Sequence, residues 1–235
     1  MRSFGLDAGR CTRIRLCWLL VIPILHRDAR CVVVAKPSGV STHRGWDDSE
    51  DALLQQTRDT VNAYVYPVHR LDRGASGCVL FALDKDAARG FAEAWPGADK
   101  RYLAITRGHP PDELVIDHPI PRAPGEDRVP AVTEIWRRES FGRYSLVEAR
   151  PRTGRLHQIR RHLKHISCPL IGDVRYGKGE HNRLFRERFA LHRLALHSIS
   201  LRVAHPDGGE LVVECPLAED LVAAIAAATL AFSGD

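Results

Sequence analysis

The run His69-Arg70-Leu71-Asp72-Arg73-Gly74-Ala75-Ser76-Gly77 sets a carboxylate between two guanidinium groups in a Gly/Ser-rich loop. Directly after it, residues 78–83 are apolar without polar alternation, the pattern of a strand buried on both faces. An aspartate at the lip of such a strand is held rigidly and partly desolvated. Neighbouring positive charge favours its ionised form. Three uses fit a carboxylate held this way: nucleophile, base or structural salt bridge. Surface pairing is the commonest of these, so the choice turns on what else the chain supplies.

A second cluster supplies it. Residues 153–163, Thr153-Gly154-Arg155-Leu156-His157-Gln158-Ile159-Arg160-Arg161-His162-Leu163, read as a helix entered through a glycine. Leu156, Ile159, Leu163 and Ile166 recur at helical spacing as its buried stripe. Arg160 then lies at the edge of the apolar face and Arg161 points to solvent. A buried cation needs an anion, because leaving it unpaired is very costly. Asp72 is the best available partner, and a side chain snorkelling to water is the alternative. His157, Arg161 and Lys164 on the neighbouring side are placed to meet a polyanion backbone. His162, His165 and Cys168 are spaced three apart, but no fourth ligand is evident and Pro169 breaks the helix, so no metal is expected. The sequence has no Gly-rich phosphate loop, no paired catalytic carboxylates and no Gly-x-Ser-x-Gly elbow.

The elements that must position these groups are mostly strands. Residues 22–25 and 31–35 predict a hairpin turning at 27–29, followed by turn chemistry at Lys36-Pro37-Ser38-Gly39. Residues 49–61 predict a helix with Ser49 as its cap, and Asp84 caps another running to Trp95. Further strands are expected at 100–107, 115–116, 131–137 and 144–149. A hairpin spans 194–204 and 210–214, and a final apolar helix spans 217–230. Strands outnumber helices with no regular βαβ alternation. The class is therefore α+β, with a large mixed, mainly antiparallel sheet flanked by helices.

The chain has 235 residues and a net charge of +5. Residues 150–193 carry twelve Lys/Arg against three Asp/Glu, a local +9 that leaves −4 for the remainder. Such asymmetry suits one face meeting a polyanion, most often nucleic acid. Six cysteines without a Cys-x-x-Cys pair suit a reducing cytosol, and a cytoplasmic location is expected. The apolar run at 16–25 is too short to span a bilayer and lacks a cleavage site, so no membrane association is expected. Residues 1–21 are expected to be a poorly ordered extension, and 22–235 a single catalytic domain.

These segments together resemble the pseudouridine synthases of the ribosomal large-subunit synthase A type. The resemblance runs through Val34-Ala35-Lys36-Pro37-Ser38-Gly39, the His69–Gly77 run and Lys100-Arg101-Tyr102-Leu103-Ala104. It continues through residues 154–163, Pro169-Leu170-Ile171-Gly172-Asp173, Ala195-Leu196-His197-Ser198 and His205-Pro206. It implies the pseudouridine synthase fold, with a central RNA-binding cleft. Asp72 resembles the family's essential aspartate, Arg160 its paired arginine, and Tyr102 the tyrosine packed on the target base. Arg70 resembles the arginine that helps displace that base. Arg73, Arg155, His157, Arg161 and Lys164 are expected to contact RNA. Ala75 departs from the family's usual threonine. Residues 40–46, Arg160-Arg161-His162 and residues 181–186 lean toward the tRNA-acting branch, which implies uridine 65 in the T-arm stem as target. Ribosomal RNA is the alternative target, and a non-catalytic RNA-folding factor the alternative class. The implied isomerisation is redox-neutral, so neither cofactor nor metal is expected, and a monomer is expected.

Overall fold

The computed structural model describes residues 22–43, 52–123 and 125–232. The expected N-terminal extension, the Ser49 cap and residues 44–46 lie outside the described residues.

The chain opens with a hairpin of β1 (Ile24–Arg27) and β2 (Cys31–Lys36). Asp28 holds its turn, with Oδ1 accepting from the amides of Arg30 at 2.7 Å and Cys31 at 2.8 Å. Helix α1 (Leu53–Val61) starts later than the expected 49 and carries no side-chain cap. Its first amides instead donate to the carbonyls of Ser41 and Thr42, at 2.9 and 3.1 Å. Those bonds satisfy donors that a cap would otherwise serve.

Next come β3 (Tyr66–Pro67), β4 (Ser76–Ala82) and α2 (Lys85–Ala94), the last capped by Asp84 as its sequence indicated. A single 3-10 turn, Trp95–Gly97, leads into β5 (Asp99–Arg107). Strands β6 (Glu113–Asp117), β7 (Ile120–Pro121), β8 (Arg128–Val129), β9 (Val132–Phe141) and β10 (Tyr144–Pro151) follow. Helices α3 (Gln158–His165) and α4 (Gly179–Phe189) precede β11 (Leu196–Ala204), β12 (Glu210–Glu214) and α5 (Glu219–Phe232).

Ten strands make one sheet in the order β1-β2-β4-β11-β5-β10-β9-β6, with β12 beside β11 and β3 beside β4. Every pairing is antiparallel except β4 with β11. At that parallel junction Gly77 has φ +113°, and a Cβ there would stand 2.2 Å from the Ser198 carbonyl oxygen. Only glycine permits so close an approach.

The unbroken apolar stretches of β2 and β4 are explained by two separate cores. Val32, Val34, Val79 and Phe81 face one side, packing with Leu53 of α1 and with Ile159 and Leu163 of α3. Cys31, Val33, Cys78 and Leu80 face the other, against Ala87 and Phe91 of α2. A third core joins α4 and α5 to β5, β9 and β10 through Phe185, Phe189 and Leu221. Each fully buried large side chain contributes about 1.5–3 kcal/mol of transfer free energy, so the central strands form a stiff platform for the loop that precedes β4.

Candidate active site

Asp72 lies in that loop, and the end of β2 with the segment after it grips the loop. The Lys36 ammonium, almost fully buried, donates to the carbonyls of Pro37, Arg73 and Ala75 at 2.8, 3.2 and 2.7 Å. Ser38 donates to the Gly74 carbonyl at 2.7 Å, and Thr42 bonds the Leu71 backbone. These contacts hold the loop although Ala75 has no hydroxyl of its own. His69 stacks on Trp95 at 4.4 Å, and its Nε2 accepts from the Leu80 amide. Burial pushes the His69 imidazole down to about 3, with Lys100 acting the same way, so it is a neutral wedge and not a charge.

The carboxylate of Asp72 is about one-fifth exposed and meets Arg160, whose Nη1 donates to Oδ2 at 2.9 Å. The helical wheel's pairing of these two residues holds. The same guanidinium makes a two-pronged contact with Asp173, Nε to Oδ2 at 2.7 Å and Nη2 to Oδ1 at 2.9 Å. Asp173 also accepts from the amides of Arg175 and Tyr176. Burial opposes its charge, but these bonds outweigh that and draw its pKa below the ordinary carboxylate value. Burial likewise opposes the Arg160 charge, and the bonds to Asp173 and Asp72 more than restore it. Gly172, at φ +75° beside Asp173, lies against the Arg193 carbonyl, where a Cβ would overlap that oxygen.

Helix α3 starts at Gln158, two residues after Leu156. The expected buried stripe is therefore corrected at Leu156, which is 44% exposed at the mouth of the cleft. Gln158 does the fastening: Oε1 accepts from Thr153 Oγ1 and the Arg155 amide, and Nε2 donates to the Val132 carbonyl and Thr133. Arg161 is also corrected, since it does not run free into solvent. Its Nε donates to the Tyr176 hydroxyl at 3.0 Å and its Nη1 to the Pro121 carbonyl at 2.8 Å. His162 spends both ring nitrogens on Thr133 and the His118 carbonyl. His157 turns inward, with Nε2 3.9 Å from Asp72 Oδ1.

Asp72, Tyr102, His157 and Arg160 line one cleft of about 430 Å³, together with Leu196. That is the size of sites that hold a small organic ligand. Tyr102 projects from β5 and is 8% exposed. Burial, with the Asp72 charge nearby, pushes its phenol above the usual range. Arg70 and Arg155 are exposed and line the same cleft. Arg73 is exposed, with Nε on the Gly39 carbonyl, and Lys164 is exposed on α3. Asp173 was not among the residues expected at the site. The signal for it was an arginine with five donors, more than Asp72 alone can accept.

The structures of human RNA Pseudouridylate Synthase Domain Containing 4 and Domain Containing 1 share this architecture. The first superposes with a TM-score of 0.71 at 28% identity, covering 87% of this chain and 92% of that one. The second gives 0.72 at 26% identity, covering 93% and 90%. The sequence pattern of the RNA pseudouridylate synthases matches residues 30–165, and the chain belongs to that family. Within it, the chain is 38% identical over 210 residues to a protein of Haemophilus ducreyi named tRNA pseudouridine synthase C, covering 79% of this chain and 86% of that protein. A protein of the same name from Pectobacterium carotovorum is 36% identical over 221 residues, covering 83% of this chain. The present chain spans 59% of that relative's length. Among the described residues, no helix is long and apolar enough to cross a membrane.

Proposed function

We propose that this protein isomerises one uridine of tRNA to pseudouridine, at position 65 in the T-arm stem, through a catalytic domain formed by residues 22–235. The observation that carries the reading is the Asp72 carboxylate, paired with Arg160 at 2.9 Å and open to a cleft of nucleoside size. A desolvated ion pair contributes little net stability against apolar residues of the same volume. Its place at the edge of a cavity supports a chemical role. The names of the related proteins support tRNA as the substrate.

In this reading the target uridine flips out of the stack into the cleft, with Arg70 helping to displace it. Asp72 forms a covalent bond, at ribose C1′ or at base C6, which is ordinary nucleophilic catalysis by a carboxylate. The glycosidic bond to N1 breaks, uracil turns, and C5 bonds to C1′. Tyr102 holds the detached ring by stacking, a contact worth about 1–3 kcal/mol, and assists removal of the C5 proton. Arg73, Arg155, Arg161 and Lys164 attract and orient the RNA backbone.

The test is purified protein with unmodified tRNA and ribosomal RNA transcripts, mapped for pseudouridine by carbodiimide and primer extension. The expected result is a stop at tRNA position 65. Product on ribosomal RNA alone would contradict the substrate, and binding without product on either would contradict catalysis.

A further inference from the structure

Cys31, the first residue of β2, is fully buried, and its Sγ lies 3.4 Å from Asp28 Oδ2. His26 of β1 places Nε2 2.7 Å from the same oxygen. From the turn between β11 and β12, His205 brings its own Nε2 to 3.4 Å from it. Three groups thus converge on one carboxylate oxygen, which has two lone pairs to offer. Oδ1 is already committed to the amides of Arg30 and Cys31. The crowding leaves the buried His205 Nε2 without a hydrogen bond. Its ring is nonetheless aimed there, because Nδ1 accepts from the Asp207 amide at 3.2 Å. An ion pair between Asp28 and His26 would need neither the thiol nor the second ring.

We propose that His26, Asp28 and Cys31 form a zinc-binding site, with His205 backing the carboxylate. The donor atoms of the three lie within 4.8 Å of one another. Ligands of a tetrahedral zinc ion, at bond lengths of about 2.0–2.3 Å, stand roughly 3.3–3.8 Å apart. The oxygen and the sulfur already have that spacing. His26 is about one-third exposed, so its ring has room to swing off the carboxylate. Imidazole, carboxylate and thiolate together suit zinc, whereas magnesium and calcium take oxygen ligands. On binding, the Cys31 S–H bond breaks, its electron pair stays on sulfur to form the bond to zinc, and the proton leaves to solvent. His26 gives the neutral lone pair of Nε2, Asp28 gives Oδ2, and water enters the fourth position from the open side. His205 then donates Nε2–H to the carboxylate, as outer partners that orient metal ligands do.

The site staples the β1–β2 turn at the end of the large sheet to the turn between β11 and β12. Arg30 joins the same two turns, meeting Asp84 at 3.0 Å and Asp207 at 3.3 Å, so its charge is answered by carboxylates outside the site. None of the four residues lines the cleft. Zinc here holds an edge of the fold and takes no part in the isomerisation.

The test takes the full chain, strips it with chelator and titrates it with zinc, with cobalt(II) as an optical stand-in and magnesium as control. A single zinc ion is expected to bind, to release about one proton and to raise the thermal midpoint. Cobalt(II) is expected to give the near-ultraviolet absorption of a thiolate–cobalt bond. His26→Gln and Cys31→Ala should each lose the zinc-dependent rise while keeping the fold, as the metal-free midpoint will show. His205→Gln should weaken zinc about 10–100-fold. Replacing Cys11 and Cys17 together by serine should leave binding unchanged. Absence of zinc binding, equal stabilisation by magnesium, or cobalt binding without the thiolate absorption would overturn the site. Zinc binding that survives both His26→Gln and Cys31→Ala, or is lost with Cys11 and Cys17, would overturn it too.

Discussion

Without the guanidinium of Arg160, Asp173 would remain fully buried with no counter-charge. Losing one partner of a buried pair costs about 3–5 kcal/mol. Arg160→Met is therefore expected to lower the unfolding free energy in urea by that amount, and a loss under about 1 kcal/mol would contradict the pairing. Asp173→Asn acts more gently, because the amide still accepts one of the two bonds. It lets the guanidinium rotate, and a shift near 1 Å at a reacting group costs about 10² in rate. Its kcat should fall accordingly while KM stays near wild type, which steady-state assays on tRNA would show. The pairing of Asp72 with Arg160 was legible because periodicity put a cation at a buried edge and one carboxylate lay in a suitable loop. Asp173 was not legible that way, since spacing shows which residues share a face but not which loop folds over it. Leu156 was misread for a related reason. Periodicity counts through a helix start, and the left-handed backbone of His157 holds the helix off until Gln158, past that leucine.

At the scale of elements, the loop carrying Asp72 depends on a lysine from the end of β2. Burial pushes Lys36 from 10.5 down to about 7, with Arg193 and Arg73 acting in the same direction. The folded protein thus holds this proton less tightly than the unfolded chain does. The resulting cost to folding is full below pH 7 and fades as pH rises toward 10.5. The difference in unfolding free energy between wild type and Lys36→Met should therefore grow with pH across that window. A difference that is flat with pH in urea melts would contradict this. Strands β2, β4, β5 and the β11–β12 hairpin were readable from apolar runs and turn residues. Helix α4 was not, because its buried face includes His181 and Asn182 beside Phe185 and Phe189. Polar core positions of that kind erase the hydrophobic period. The two-residue strands β3, β7 and β8 are too short to carry any period.

At the scale of the whole molecule, the chain keeps its excess positive charge in residues 150–193, among which are Arg155 of the cleft and Arg161 and Lys164 of α3. RNA affinity should then fall linearly in log–log plots against salt. Arg155→Ala and Lys164→Ala should each lower that slope by about one. Unchanged slopes in filter-binding titrations would place the RNA elsewhere. The sheet, the grip of Lys36 and the Arg160 fork all converge on one carboxylate. Its substitution by the isosteric amide is the most direct measurement of what they serve. Asp72→Asn, with wild-type thermal midpoint and tRNA affinity, is expected to yield no pseudouridine under conditions where wild type converts the transcript completely. Turnover by that folded variant at a rate near wild type would contradict the role given to Asp72.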